Sequence, residues 1–182
     1  EQDGFEIEIT EDMVEAVTGS IKNIEQMTAG ALARFSETQV DYSHDLAVKA
    51  GDGTGTADVI AVVGRTLHVQ DYKNGYRFVD AHDNEQLALY AAGALSMVED
   101  VIDEPIEEIV AAIHQPAVSD KPCIWTVPVG VLRSKIKELR GAANKVTFAE
   151  QTYANGTMSR EAWVVMPSSF TRPTSRSIEP SV

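Results

Sequence analysis

Two carboxylates and an amine stand where a β-sheet would favour valine. The stretch GTADVIAVVGRTLHVQDYKNG (55–75) is mostly apolar and β-branched, yet it holds Asp58, Asp71 and Lys73. Gly64-Arg65 separates two apolar runs, and glycine first in a two-residue loop is the type II′ hairpin signature. With that loop, Val63 pairs with Thr66, Val62 with Leu67, Ile60 with Val69 and Asp58 with Asp71. Residues so opposed have Cβ atoms roughly 4.5–5.5 Å apart, and like charges there repel. A cation between them removes the penalty. Two close carboxylates form a hard-oxygen site of the kind Mg²⁺ or Mn²⁺ prefers. Such an ion polarises a phosphoryl oxygen and lowers the pKa of a bound water. Alternation places Leu67, Val69, Asp71 and Lys73 on one face, so Lys73 is expected on the carboxylate side. There it could position or activate the water, or stabilise developing phosphorane charge. Taken alone, Asp-x-Lys is far better read as a solvated Asp–Lys surface pair, and it is the helix that follows that changes this.

The flanking sequence supplies elements to hold these groups. Thr10 reads as the N-cap of a helix, with Glu11 and Asp12 in its first turn. Met13, Val14, Val17, Ile21, Ile24 and Met27 recur at helical spacing, and the helical reading runs on to Phe35. Residues 37–43, ETQVDYS, alternate as a strand does, and KAGDGTG (49–55) is a glycine-rich turn. After the hairpin come a polar loop (74–83) and a helix (84–100) with Leu87, Ala88, Ala91, Leu95 and Val98 on its apolar face. Gln86 and Tyr90, four residues apart, share one face of that helix. EEIVAAIHQPAV reads as a strand ending before Pro116. Residues 126–156 begin extended and become a helix ended by Gly156. The order predicts an α/β fold with a small mixed central sheet flanked by helices.

The set GTAD, LHVQDYKNG and NEQLALYA, in this order, resembles the PD-(D/E)XK nuclease superfamily, in particular its RecB-like branch of phage and prophage recombination exonucleases. The likeness is close over about residues 37–95 and weaker through IHQPAV and WTVPVGVLRSKIKEL. The resemblance implies a restriction-endonuclease-like core and a metal-dependent deoxyribonuclease using Mg²⁺ or Mn²⁺. It implies Asp58 and Asp71 as metal ligands, the Tyr72 carbonyl completing the coordination, and Lys73 as the catalytic lysine. Gln86 and Tyr90 would position the lysine or contact DNA. Glu37 would add a ligand or orient a water, or is simply an exposed strand glutamate; Asp41 is a weaker substitute. DNA is the implied partner, with a single-strand annealing protein and a homo-oligomer as further implications. A cytoplasmic setting, in a bacterial host or encoded by a phage, follows from the same likeness. The C-terminal cysteine cluster of many relatives is replaced here by TMSREAWVVMPSSFTRP.

Composition bounds these readings. The chain has 182 residues, enough for one domain, expected over 1–170 with a flexible tail at 171–182. It opens at Glu1 without an initiator methionine, as a fragment of a longer chain would. No apolar run approaches the roughly 18 residues of a spanning helix. Cys123 is the only cysteine, which excludes an intrachain disulfide, a cysteine-rich zinc site and an iron–sulfur cluster, and it reads as a packing residue. His44, His68, His82 and His114 are scattered without metal-ligand spacing. His68 falls on the face opposite Asp71 and reads as structural, whereas His82, in the loop before the Gln86 helix, could approach substrate. Trp125 and Trp163 read as core residues. The net charge of −13 works against phosphate contacts, although VLRSKIKELRGAANK (131–145) is basic. Two further readings stand beside the nuclease. One is a catalytically silent nuclease fold acting as a binding or assembly module; the other is an acidic interaction protein that avoids DNA.

Overall fold

The computed structural model describes residues 8–154, with side chains to 146. The elements, in order, are α1 (Glu11–Met27), β1 (Ala33–Asp41), α2 (Ser43–Leu46), β2 (Thr54–Val63) and β3 (Thr66–Tyr72). Then follow α3 (Glu85–Glu99), β4 (Glu108–His114), β5 (Cys123–Pro128) and α4 (Val129–Ala154). Elements α1 through β5 and the start of α4 belong to the first of two compact units, residues 1–143; the second is 144–182. Gly156, Trp163 and the tail at 171–182 lie outside the described residues.

The five strands form one sheet in sequence order, β1-β2-β3-β4-β5. All neighbours are antiparallel except β3 and β4, which are parallel, as a crossover through α3 requires. This is the small mixed sheet with flanking helices that the sequence predicts, and it is consistent with an α/β nuclease-like core. The hairpin register is the predicted one: Val63 faces Thr66, Val62 faces Leu67 and Ile60 faces Val69. Gly64 has φ of +57°, the left-handed region that the first position of a type II′ loop needs.

One layer of core lies between the sheet and α3. Leu67, Val69, Ile109, Ala111 and Ile113 of the sheet meet Leu87, Ala88, Ala91, Leu95 and Val98 of α3, with Leu132 and Ile136 of α4 in the same cluster. The alanines of α3 keep its backbone near the strands, and the Asn84 side chain accepts from Leu87 N–H to start the helix. Leu132 is almost wholly buried, so its truncation to alanine removes contacts worth about 2–5 kcal/mol.

The sequence reading needs correction at the first helix. It ends at Met27 rather than running to Phe35, because Thr28 turns its hydroxyl back onto the Ile24 carbonyl (2.8 Å) and Gly30 adopts φ +75°. Ala33, Arg34 and Phe35 then open β1. Of the apolar stripe, Ile24 is buried, while Met13, Val14, Val17 and Ile21 are exposed. The extended piece at 126 is the end of a full edge strand, β5, and the four-residue α2 carries no periodic signal to predict it. No helix among the described residues is long and apolar enough to cross a membrane.

Candidate functional site

Asp58 sits at a break in the sheet. The sheltered positions of β1 are Ala33 and Phe35, then Thr38 and Val40, a three-residue step across Glu37. On β2, Ala57 joins the core and the next members are Ile60 and Val62, a three-residue step across Asp58. Glu37 and Asp58 occupy the register step between Ser36–Val59 and Thr38–Ala57, where ladder pairing is interrupted. Glu37 holds φ +49° there, left-handed backbone that costs a non-glycine residue about 1–2 kcal/mol. Both strands therefore change phase at the same place, which simple alternation does not anticipate.

The break frees Asp58 to act within the plane of the sheet. The β2–β3 ladder stops at Val59–Gln70, one step short of the predicted Asp58–Asp71 pair. Beyond it, the Tyr72 N–H donates to Asp58 Oδ2 at 2.6 Å instead of to a β2 carbonyl. One carboxylate thus replaces a backbone acceptor and is fixed by it. Asp71 follows at the end of β3 with its side chain only 5% exposed. Burial pushes the Asp71 carboxyl pKa up; the Lys73 ammonium opposes the rise and the Asp58 charge adds to it.

Lys73 joins the strand to the helix. Its Nζ lies 2.9 Å from Asp71 Oδ2 and donates to Gln86 Oε1 at 3.2 Å. Gln86 Nε2 in turn donates to the Tyr90 hydroxyl at 2.8 Å. The backbone N–H of Lys73 donates to the His114 carbonyl, so the parallel β4 fixes the lysine's base. The Tyr90 ring lies over β2. A Cβ added at Gly55 would come 2.4 Å from Tyr90 Cε1, so the GTAD glycine is the space the tyrosine occupies. Of the residues expected to act together, Asp58, Tyr72, Asp71, Lys73, Gln86 and Tyr90 form one continuous array.

The donor set suits a hard divalent cation. Asp71 Oδ2 is buried, and its contact is the Lys73 ammonium at 2.9 Å, which leaves this oxygen further acceptor capacity. An oxygen of that kind beside a second carboxylate is what Mg²⁺ or Mn²⁺ would satisfy. Glu37 stands in the same row across the strands but does not close up with both aspartates. Among the described residues, the group of three that come within ligand distance of one another is Asp80, His82 and Cys123. Asp41 is committed elsewhere: its Oδ1 accepts from Ser43 N–H at 2.8 Å, and these bonds hold its pKa low.

A family model matches residues 4–162, a span that includes every element above. The chain belongs to the DUF2800 family. That family is described as a protein of unknown function. The polar array of this DUF2800 chain therefore has to be read from its own geometry.

Sequence reasoning missed several supports. Gln115, buried after β4, accepts from Val79 N–H and donates to the Gly75 and Arg77 carbonyls, organising the loop between Lys73 and α3. A glutamine before Pro116 gives no local signal of that task. On the other sheet face, His114 Nε2 lies 2.7 Å from Gln70 Oε1 and His68 Nδ1 lies 3.5 Å from Gln70 Nε2, a buried polar row that matches the structural reading of His68. Trp125 packs against the core as expected. Cys123 also packs there, but its sulfur faces the Asp80–His82 turn rather than apolar side chains alone. The basic stretch of α4 is largely engaged: Lys135 with Asp83, Arg133 with Glu99, and Arg140 with the His44 and Asp45 carbonyls.

Proposed function

We propose that this chain is a divalent-metal-dependent deoxyribonuclease that hydrolyses phosphodiester bonds from DNA ends, in the manner of the phage recombination exonucleases its motifs resemble. The observation that carries the reading is the unbroken array from Asp58 through Asp71 and Lys73 to Gln86 and Tyr90. A structural ion pair would not need the helix: Lys73 could satisfy Asp71 alone. Instead the ammonium is shared between Asp71 Oδ2, at 2.9 Å, and Gln86 Oε1, at 3.2 Å.

Asp58 and Asp71 would hold Mg²⁺ or Mn²⁺, with the Tyr72 carbonyl as a further donor. Bound there, the ion would supply charge neutralisation at the phosphate and a water of lowered pKa. In the hydrolysis, a water oxygen attacks phosphorus and gives up a proton to solvent, the bond to the sugar oxygen breaks, and a solvent water supplies the proton to that leaving oxygen. Lys73 contributes a fixed positive charge beside the pentacoordinate phosphorus and orients the attacking water. Gln86 aims the ammonium: Lys73 can only donate and so takes the amide oxygen, which leaves Gln86 Nε2 to donate to the Tyr90 hydroxyl. Asp58 is anchored by the Tyr72 N–H, which limits the reorganisation needed on binding.

The test is degradation of end-labelled linear duplex DNA with Mg²⁺, Mn²⁺ or EDTA, with Lys73→Ala as the paired control. Metal-dependent release of label, reduced about a hundredfold or more in Lys73→Ala, is the expected result. Intact DNA with every metal, from protein shown to be folded, would instead favour the silent binding module.

A further inference from the structure

A second cluster has a chemistry different from that of the aspartate pair. Asp80 and His82 lie in the turn before α3, and Cys123 begins β5, some forty residues later. His82 Nδ1 lies 2.8 Å from Asp80 Oδ1, Cys123 Sγ lies 3.4 Å from Asp80 Oδ1, and Sγ lies 4.0 Å from His82 Nδ1. We propose that Asp80, His82 and Cys123 form a zinc site that fastens the loop between Lys73 and α3 to the edge strand β5. The proposal does not depend on nuclease activity.

The separations decide between two readings of a Cys–His–Asp group. In a nucleophilic relay, the carboxylate holds one imidazole nitrogen and the sulfur faces the other. Here the carboxylate and the sulfur converge on the same nitrogen, Nδ1, which leaves no path from sulfur through the ring to the acid. Convergence of three donors on one point is the geometry of a metal ligand set. Tetrahedral Zn²⁺, with Zn–S near 2.3 Å and Zn–N or Zn–O near 2.0 Å, places its donors roughly 3.3–3.6 Å apart. The observed separations bracket that range, so small side-chain shifts close the site.

The surroundings hold these donors in place. Ala81, between two of them, is fully buried and sends its N–H to Cys123 Sγ at 3.4 Å, while the His82 N–H donates to Asp80 Oδ1 at 2.9 Å. Asn84 Nδ2 donates to the Asp80 carbonyl, joining the turn to the start of α3. Thiolate, imidazole and carboxylate together select a borderline metal such as Zn²⁺ and reject Mg²⁺, which takes oxygen donors. The two sites are thus chemically separate. Asp80 and His82 are more than half exposed, so a fourth position is open to water and the ion can enter without unfolding the turn.

The experiment is a Zn²⁺ titration of the full chain against a chromophoric chelator, beside the spectrum of the Co²⁺-loaded chain. Tight binding of a single Zn²⁺ is expected in wild type and unchanged in Asp58→Asn. Binding should weaken by about tenfold or more in Cys123→Ser and in His82→Ala. Co²⁺ should give a thiolate-to-metal charge-transfer band and the strong visible bands of four-coordination. The spectrum needs no variant, and His82 is exposed enough that its replacement leaves the core intact. Co²⁺ binding without the charge-transfer band, or equal Zn²⁺ affinity in wild type and Cys123→Ser, would overturn the site. Loss of DNA cleavage in Asp58→Asn would leave it standing.

Discussion

His114 makes the end of the sheet that carries Lys73 sensitive to acid. It is 2% exposed, and Nε2 reaches Gln70 Oε1 at 2.7 Å, so the neutral ring donates there. Its other nitrogen, Nδ1, is buried without a hydrogen-bond partner. A second proton would have to sit on that buried nitrogen, which has no protein acceptor within hydrogen-bond reach. Burial accordingly lowers the His114 pKa to about 4 from an ordinary 6.5. The sign follows from linkage. The unfolded chain takes up a proton near its ordinary value while the folded chain does not, so folding stability is full above that value. It declines as pH falls toward the folded value. The gap of 6.5 less about 4 is 2.5 units, which at 1.36 kcal/mol per unit gives about 3 kcal/mol. His68, also lowered by burial, acts with the same sign. Urea unfolding followed by circular dichroism from neutral pH down to about pH 4 should show wild type losing this stability. His114→Gln keeps an amide donor for Gln70 Oε1 and cannot titrate, so its loss over the same range should be smaller by about 3 kcal/mol. Parallel pH slopes for the two proteins would refute the reasoning, as would an NMR titration placing the His114 midpoint at the ordinary imidazole value.

Two other perturbations follow from the carboxylate row. Asp58→Asn keeps an oxygen for the Tyr72 N–H but removes the charge that helps raise the Asp71 pKa; metal-free stability should rise by about 1 kcal/mol. In thermal melts, excess Mg²⁺ should raise the midpoint of wild type and leave Asp58→Asn unmoved; an equal Mg²⁺ response in both would place the ion elsewhere. Glu37→Gly relieves the left-handed backbone at φ +49° but adds chain entropy, for a net gain of about 0.5–1 kcal/mol in urea midpoint measurements. A loss of stability would mean that the Glu37 side chain carries more than the strain it imposes.

How much of this was legible depended on how local each determinant is. The hairpin was readable from Val63–Thr66 out to Ile60–Val69 because Gly64-Arg65 and two β-branched runs fix its register within a single turn, but not at Asp58–Asp71, where the ladder has already ended. Helix α3 was readable because Leu87, Ala88, Ala91, Leu95 and Val98 recur at helical spacing while Gln86 and Tyr90 share a neighbouring face. The start of β1 was not, since Ala33, Arg34 and Phe35 suit the end of a helix as well as a strand. The phase change at Glu37 and Asp58 was hidden, because alternation assumes an unbroken pleat. Asp80, His82 and Cys123 could not be grouped from spacing: the turn and β5 meet only once β4 lies between β3 and β5. The row His68, Gln70 and His114 likewise depends on the parallel register of β3 with β4.

The close approach of Tyr90 to Gly55 also has an evolutionary consequence. Two short words, GTAD and QLALY, stand thirty-odd residues apart and look like independent signatures, yet a ring in one fills the atom missing from the other. Their histories are therefore tied. A lineage that keeps the aromatic ring has no room to enlarge the glycine, whereas one that trades the ring for a smaller side chain loses the reason to keep the glycine bare. Among homologous chains the two positions should change together.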